Sequence, residues 1–409
     1  MAGITFGTAG PGDVNALVDL CSRCLGIGAD HFAARLPHDP VFLPGGFLVA
    51  RDGERIVATV HAMGFKLVFG SARVPCGGIG NVSTDPAYRK RGLARRLMDE
   101  AHGVMRTRGL PVSILTTEIQ DFYRPMGYEI WPHTEMHLLK LRPPAGSGPG
   151  PTVRRIDYAA DAPALLAIRG EYEGRFVGPI AGDDTRWRRQ PAWTVSYPHE
   201  DPGLALAACC GDGPPLAYLR AAVYPEKMWS KVLEFGARGG SDDAVRALGR
   251  AYVREAFLRG VRGVQLPEPC RELEAVIAPS AEVTVPVTAD WLMLRIDNLA
   301  GFLAAISPEM AVRAAAADFQ PMSIVISCGD QSAIVRIAQG RVFVGPTPPG
   351  RDDPRAVLKA GEWVQVFGGV RPFSKQAFAA QSDLGERDIV FLDTIFPVRD
   401  RVFWEIDAF

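Results

Sequence analysis

Cysteine is scarce in this chain, with seven residues in 409, an odd number and no repeated pair spacing. That argues against a disulfide framework and gives no zinc-ligand pattern, so no metal is expected. The lone Cys21-x-x-Cys24 pair lies in DVNALVDLCSRCLG, where Val14, Leu17 and Val18 recur at helical spacing, and it reads as a buried helix face rather than a redox pair. Long apolar runs are missing too. Nothing approaches the ~18 uninterrupted apolar residues of a membrane span, and the opening MAGITFGTAG has neither a basic stretch nor an apolar core, so a cytoplasmic protein is expected. No GxGxxG opens a helix after GGIG at Gly77–Gly80, which makes a dinucleotide fold a poor reading. Neither sign of charge dominates: 45 Lys and Arg stand against 46 Asp and Glu, a net −1.

What is present is a folded composition, 47% hydrophobic and 22% charged, on a chain too long for one ordinary core. The Pro/Gly/Ser cluster PPAGSGPGP, 143–151, marks a linker. Before it, residues 1–142 read as an α/β unit. A strand and a helix open it, and FLVARDGERIVATVHAM forms a meander turning at Asp52 and Gly53. A hairpin follows around Gly70 and Ser71, then an amphipathic helix on Leu93, Leu97, Ala101, Val104 and Met105, the buried strand PVSILTT, a short helix at QDFYRPMG and a last strand MHLLKL. Residues 152–287 read as a worn copy of the same plan, a tandem repeat of mixed-sheet units. From 288 to 409 the pattern changes to a third α+β unit, with a strand, the helix NLAGFLAAI, hairpins through MSIVISCGDQSAIVRIAQGRVFVG and short helices around RAVLKAGEWVQVFGG.

Positive charge gathers in one place. Arg89–Arg108 holds seven basic and two acidic residues. A glycine-containing loop between a strand and a helix N-terminus points several backbone N–H groups one way, and the helix dipole adds positive potential there. Gly92 allows close approach to the main chain, while Arg89, Lys90, Arg91, Arg95 and Arg96 supply charge-assisted contacts, so a pyrophosphate fits. Nucleic acid is not expected, because the charge is confined to one turn and lacks interleaved aromatics. At the matching place the second copy carries the acidic GGSDD.

In VSTDPAYRKRGLA, an RxxGxA loop follows a strand, and this resembles the GNAT acyltransferases. Together with FYRPMGYE downstream, that resemblance implies a site for acetyl-CoA. The pyrophosphate would lie on Arg89, Lys90, Arg91, Gly92, Leu93 and Ala94, and the pantetheine arm would run along Val82, Ser83 and Thr84, with the Val82 N–H as oxyanion donor. Tyr123 would be the acid that protonates the departing sulfur, and Tyr128 reads as core. The whole plan, two GNAT-like units and a third domain opened by WLMLRIDNLAGFL, resembles the Eis (enhanced intracellular survival) acetyltransferases. This likeness implies a sterol-carrier-protein-like third domain, a homo-hexamer, small-molecule amine acceptors such as aminoglycosides, and a terminal carboxylate, here that of Phe409, assisting the amine. The segment TTEIQDFYRPMG departs from the aminoglycoside-acetylating members in lacking a glycine pair before the tyrosine, which bears on substrate range. Asp30, Glu405 and Asp407 are candidates for holding a cationic acceptor. Rival readings are a protein-lysine or polyamine acetyltransferase, and a non-catalytic lipid- or cofactor-binding protein.

Overall fold

The computed structural model describes residues 3–36, 42–144, 150–182, 201–267, 270–317, 319, 321–338, 340–346, 353–376 and 384–404. The chain opens with β1 (Thr5–Thr8), α1 (Val14–Leu25) and α2 (Ala29–Arg35), followed by the meander β2 (Phe42–Asp52), β3 (Arg55–Phe69) and β4 (Ala72–Thr84). Then come α3 (Leu93–Thr107), β5 (Val112–Thr116), the single turn α4 (Gln120–Tyr123) and β6 (Glu129–Ile130). The apolar spacing of α3 buries Leu93, Leu97, Met98, Ala101 and Met105 on one stripe, and Gly109 closes the turn after it at φ +68°. Helix α3 covers one face of the first sheet. Helices α1 and α2 cover the other, packing on Phe47, Val49 and Ile56.

The middle of the chain runs β7 (His133–Leu139), β8 (Thr152–Arg155), α5 (Ala162–Glu173), β9 (Val177–Ile180), β10 (Leu206–Cys209), β11 (Pro215–Tyr224) and β12 (Trp229–Ala237). It continues through α6 (Asp242–Leu258), β13 (Gly263–Pro267), α7 (Arg271–Ile277), β14 (Val283–Ala289) and β15 (Leu292–Ile296). The last part is α8 (Leu299–Ala316), β16 (Met322–Cys328), β17 (Gln331–Ala338), β18 (Arg341–Gly345), β19 (Arg355–Leu358), α9 (Ala360–Phe367) and α10 (Glu386–Ile395). RAVL, read from the sequence as the start of a helix, is strand β19, parallel to β16. By length and composition α8 is apolar enough to cross a membrane. It lies against β17 and β18 and carries Glu309 and Arg313.

Sheet membership departs from the linear order expected of three consecutive units. The strand read as the last of the first unit, β7, belongs to the second sheet, between β13 and β14. Its place is taken by β15, the strand of WLMLRI, which inserts antiparallel between β5 and β6. Strand β9 adds to β3 through Leu67↔Ile180 and Phe69↔Val177. The first two sheets therefore do not break at 142 or 287 and take strands from across those boundaries, whereas the third, β16–β19, lies wholly after 287. The first and third units also share one apolar core. Phe69 meets Phe302 edge-on with centroids 5.4 Å apart, and at the β3–β4 hairpin tip the Ser71 N–H and hydroxyl donate to Glu309 Oε2 at 2.9 and 2.5 Å.

In the second unit a buried charge network joins α5 to the sheet. Arg169 Nη1 donates to Glu234 Oε1 at 2.6 Å, Tyr218 donates to the same oxygen at 3.0 Å, and Arg220 Nη1 lies 3.4 Å from Glu234 Oε2. Arg169 Nε pairs with Glu173 at 2.6 Å, and Glu173 accepts the indole N–H of Trp404 at 2.9 Å. Among the described residues two guanidinium groups meet two carboxylates inside the fold, and removing one carboxylate takes a buried partner from both arginines. Glu234→Ala should therefore cost ~3–5 kcal/mol in urea unfolding. A loss under ~1 kcal/mol, the scale of an exposed pair, would show that water enters the network.

Candidate active site

The site is built on β4. Its antiparallel register with β3 passes from Thr59↔Ser83 to His61↔Gly80, so one residue is extra. Asn81 absorbs it in a left-handed conformation, φ +51°. On the other side the parallel pairing with β5 ends at Ile79↔Leu115. Beyond that point no strand among the described residues pairs with this edge of β4, so Gly80–Thr84 flank an opening between β4 and β5. Val82 is half-buried; the Ser83 side chain points inward and is buried.

The loop after β4 is held firmly at its start. The Asp85 carboxylate accepts the Ala87 N–H at 3.0 Å and pairs with Arg55 at 2.5 Å and Arg23 at 3.4 Å. The Ala87 hydrogen bond, with those cations, holds its carboxyl below the usual range. Tyr88 donates to Asp52 at 2.7 Å, and the Arg91 guanidinium lies 4.8 Å above the Tyr88 ring. Lys90 and Gly92 turn left-handed, φ +62° and +76°, and α3 begins. No side chain caps α3 and its first turn carries no acid, so the N–H groups of Leu93, Ala94 and Arg95 face outward without an internal partner of the helix. Arg89, Lys90, Arg91, Arg95 and Arg96 are exposed around them, whereas the Leu93 side chain is buried, so Leu93 can serve only through its backbone. A Cβ built on Gly92 meets nothing within 4 Å, so its left-handed φ, not crowding, is what calls for glycine. Arg95 Nη2 donates to Pro125 O at 3.4 Å, tying this turn to the segment after α4.

Tyr123 ends α4, buried among Ile79, Met98, Leu115 and Met293 on the α3 face of the sheet, beside the opening. Among the described residues its hydroxyl has no hydrogen-bond partner, and burial pushes it up to about 12, so it stays protonated. Its ring meets Tyr128 edge-on at 6.1 Å. Tyr128, expected as core, is buried with its hydroxyl 3.2 Å from His102 Nε2 and 3.0 Å from Ser113 Oγ; Ser113 in turn donates to Asp297 at 2.7 Å. Asp297, supplied by the far end of β15, has its carboxyl raised by burial despite the adjacent Arg295.

One pair in this region has no signal in the sequence. His61 of β3 and Asn81 are brought together by the bulge, with the Asn81 amide nitrogen 3.3 Å from His61 Nδ1, and the His61 ring stacks on Phe47 at 3.9 Å. Twenty residues separate them in the chain, and only the pairing register could have joined them. Of the other expected residues, Asp30 is exposed at the start of α2. Phe409, Glu405 and Asp407 lie outside the described residues. The described chain reaches Trp404, with the Phe403 ring 5.9 Å from Trp291, whose carbonyl accepts the Thr117 N–H just past β5. Cys21 is a buried free thiol raised to about 12 by burial, in keeping with a packed helix face.

The second unit repeats this geometry with different charges. Its β11–β12 register skips Leu233, and the β12–β13 pairing ends at Lys231↔Gln265. Just past the skipped residue, Glu234 is buried with Arg169 and Arg220. At the loop, the Gly239 N–H donates 2.8 Å to Glu171, and Asp242 and Asp243 stand in the first turn of α6. A carboxylate of the chain itself sits where an anion would bind.

Residues 8–131 match the family described as acetyltransferase (GNAT) domain. An uncharacterized N-acetyltransferase of Streptomyces avermitilis is 28% identical over 188 residues, and one of Streptomyces griseus 26% over 159 residues. These alignments span 43% and 37% of this chain and 44% and 38% of the relatives, so under half of each. A GCN5-related N-acetyltransferase from Anabaena variabilis (TM-score 0.74, 14% identity) and Eis1 from Mycobacterium abscessus (TM-score 0.65, 17% identity) each align over 100% of both chains. The fold is therefore shared along the entire length.

His102 supplies a test of the buried network. Burial, with Arg295 and Arg106 nearby, pushes it down to about 3, against ~6.5 in an unfolded chain. Below pH ~6.5 the unfolded state takes a proton that the folded state refuses. Stability is therefore full above ~6.5 and falls toward 3 by up to about 1.4 kcal/mol per pH unit. The difference between wild type and His102→Gln, followed by urea unfolding from pH 7 to 4.5, should grow with that slope in favour of the variant. A pH-independent difference would place a proton on His102 in the folded state.

Proposed function

We propose that this chain, whose residues 8–131 form a GNAT acetyltransferase domain, transfers the acetyl group of acetyl-CoA to a primary amine. The observation that carries the reading is a conjunction. An uncapped helix N-terminus ringed by five cations, an opened strand edge and a buried protonated tyrosine meet at one end of one sheet. In this reading the N–H groups of Gly92, Leu93 and Ala94, with Arg89, Lys90 and Arg91, hold the pyrophosphate. Val82–Thr84 offer main-chain hydrogen bonds to the pantetheine arm along the edge that β5 leaves, and the Val82 N–H supports the carbonyl oxygen as it gains charge.

Tyr123 donates to the sulfur as the C–S bond breaks. A hydroxyl raised to about 12 is a weaker acid than a thiol near ~8.5, so full proton release to the thiolate would run uphill on its own. The acetylated nitrogen sheds a strongly acidic proton in the same event, and that proton restores the phenol. The acceptor class is inferred from the family likeness, and aminoglycosides, polyamines and protein lysines all belong to it. A hexameric assembly and a role for the Phe409 carboxylate in ordering water at the amine are part of the same proposal. Product mass spectrometry on a panel of these three amine classes discriminates among acceptors. Lipid binding without thiol release would favour a non-catalytic role.

Calorimetric titration with acetyl-CoA should give one site per chain, since Glu171, Asp242 and Asp243 guard the second loop. Gly92→Asp, which puts a carboxylate at the head of α3 on a left-handed residue, should abolish that binding while leaving the circular dichroism unchanged. Two sites, or undiminished affinity in the variant, would defeat the assignment of the loop.

Tyr123→Phe should keep acetyl-CoA affinity and lose ~10²-fold or more in turnover, the scale of a lost general acid. Unchanged turnover would return Tyr123 to packing.

A further inference from the structure

Where the three units meet, the chain leaves a cleft that the acetyl-transfer chemistry does not use. Phe69 of β3, Val177 of β9, Ile306 and Met310 of α8, Phe367 of α9 and Phe396 just past α10 give it apolar walls. Glu309, Arg313 and Arg399 are the charged residues of its lining. About 10 Å³ of it is enclosed, room for one water-sized group, and with its open mouth the space comes to about 310 Å³.

The charges in it do not balance. Both oxygens of Glu309 are taken: Oε2 accepts from Ser71 at the hairpin tip, and Oε1 accepts from Arg313 Nη2 and Nε at 2.8 and 3.1 Å. Arg313 is equally engaged, since its Nη1 donates to Ile395 O at 2.6 Å. Arg399 is left over. Its Nη2 donates to Arg175 O at 3.3 Å, its Nη1 stands 3.9 Å from Glu309 Oε1, beyond a hydrogen bond, and its Nε is buried with no partner among the described residues. Neighbouring carboxylates serve other arginines, Asp400 pairing with Arg271 and Glu272 with Arg175. Burial, with Arg399 beside it, lowers the Arg313 guanidinium below the ordinary arginine value in spite of Glu309. Two guanidinium groups thus share one carboxylate between apolar walls, and a second anion would relieve both. Arg399 can be reached from outside, because its side chain is 28% exposed and the cleft is open.

We infer that this cleft binds a short-chain monocarboxylate, its head on Arg399 Nη1 and its alkyl chain against Phe69, Ile306 and Phe396. An inorganic anion would answer the charge and leave the apolar walls wet, whereas an alkyl carboxylate answers both. So little enclosed space suits a short chain and not a long one. The site is separate from the β4 opening and stands whether or not the chain transfers acetyl groups. Glu309 joins α8 to the β3–β4 hairpin, so an anion placed beside it on Arg399 braces the contact between the first and third units.

Hexanoate is the probe. Calorimetry on the full wild-type chain should give one site with a Kd on the order of millimolar, and the melting temperature should climb as hexanoate is added. Hexanol, which has the chain without the charge, and acetate, which has the charge without the chain, should each bind ~10-fold more weakly or worse. Arg399→Gln should weaken hexanoate by ~10-fold or more, while Arg399→Lys, which keeps the charge, should retain part of the affinity. Gly92→Asp should leave hexanoate binding unchanged, which separates this cleft from the basic loop. No binding by the wild-type chain, equal affinity for hexanol and hexanoate, or undiminished affinity in folded Arg399→Gln would overturn the inference, and so would a loss of hexanoate in Gly92→Asp alone. If Arg399→Gln does not fold, the three ligands on the wild-type chain decide the matter by themselves.

Discussion

The parting of β4 from β5 beyond Ile79 and Leu115 is the constraint on which the remaining chemistry depends. A continuous parallel ladder would satisfy every N–H and C=O of Gly80–Thr84 internally and leave a smooth sheet with nothing to offer a ligand. Ending it early exposes one row of backbone groups and opens space between two strands that stay rigid because β3, β15 and the helices brace them. The Asn81 bulge does the complementary work on the other side of β4, bending the strand while the β3 ladder resumes at Ser83. The cations of the loop and the buried phenol have meaning only in relation to that opening.

The second unit serves as an internal control for this argument. It has the bulge, at Leu233, and the early end of the parallel ladder, at Lys231. Architecture alone therefore does not make a site. Beside its bulge the second unit buries Glu234 with Arg169 and Arg220, and where the first leaves α3 uncapped, Glu171 reaches the loop. The charges that make the first opening attractive to an anion are replaced by charges that satisfy one another, which converts a binding geometry into a stabilising one.

Much of this was legible in the chain itself. The periodicity of Leu93–Met105, the basic loop around Gly92, the position of Tyr123 and the repeat of the unit all rest on local pattern, and local pattern survives into structure. Sheet membership was not legible. MHLLKL and WLMLRI are both buried strands with similar alternation, and periodicity carries no statement about which sheet a strand enters. The exchange of β7 for β15 is decided by partners more than a hundred residues away. The His61–Asn81 pair was hidden for the same reason, since it exists only in a register with one residue skipped. RAVL has one polar residue and then three apolar ones, and so short a run fits a helix start as well as an edge strand.

The insertion of β15 between β5 and β6 also has a consequence for how the chain comes off the ribosome. Ser113 and its partner Asp297 are 184 residues apart. At ~5–20 residues per second, roughly ten to forty seconds of synthesis separate β5 from the strand that must lie beside it. Through that interval the first sheet has an unfilled slot lined by the apolar Val112, Ile114 and Leu115, and the strand after β6 has been committed to a sheet whose other members are still to be made. Loop closure over such a span is slow and entropically costly, and the N-terminal unit cannot complete itself as an independent folding domain. Nascent chains stalled or cleaved before residue 292 would thus carry an open sheet edge, the feature that other chains add to most readily. In this protein the order of translation and the order of assembly are set against each other by a single five-residue strand.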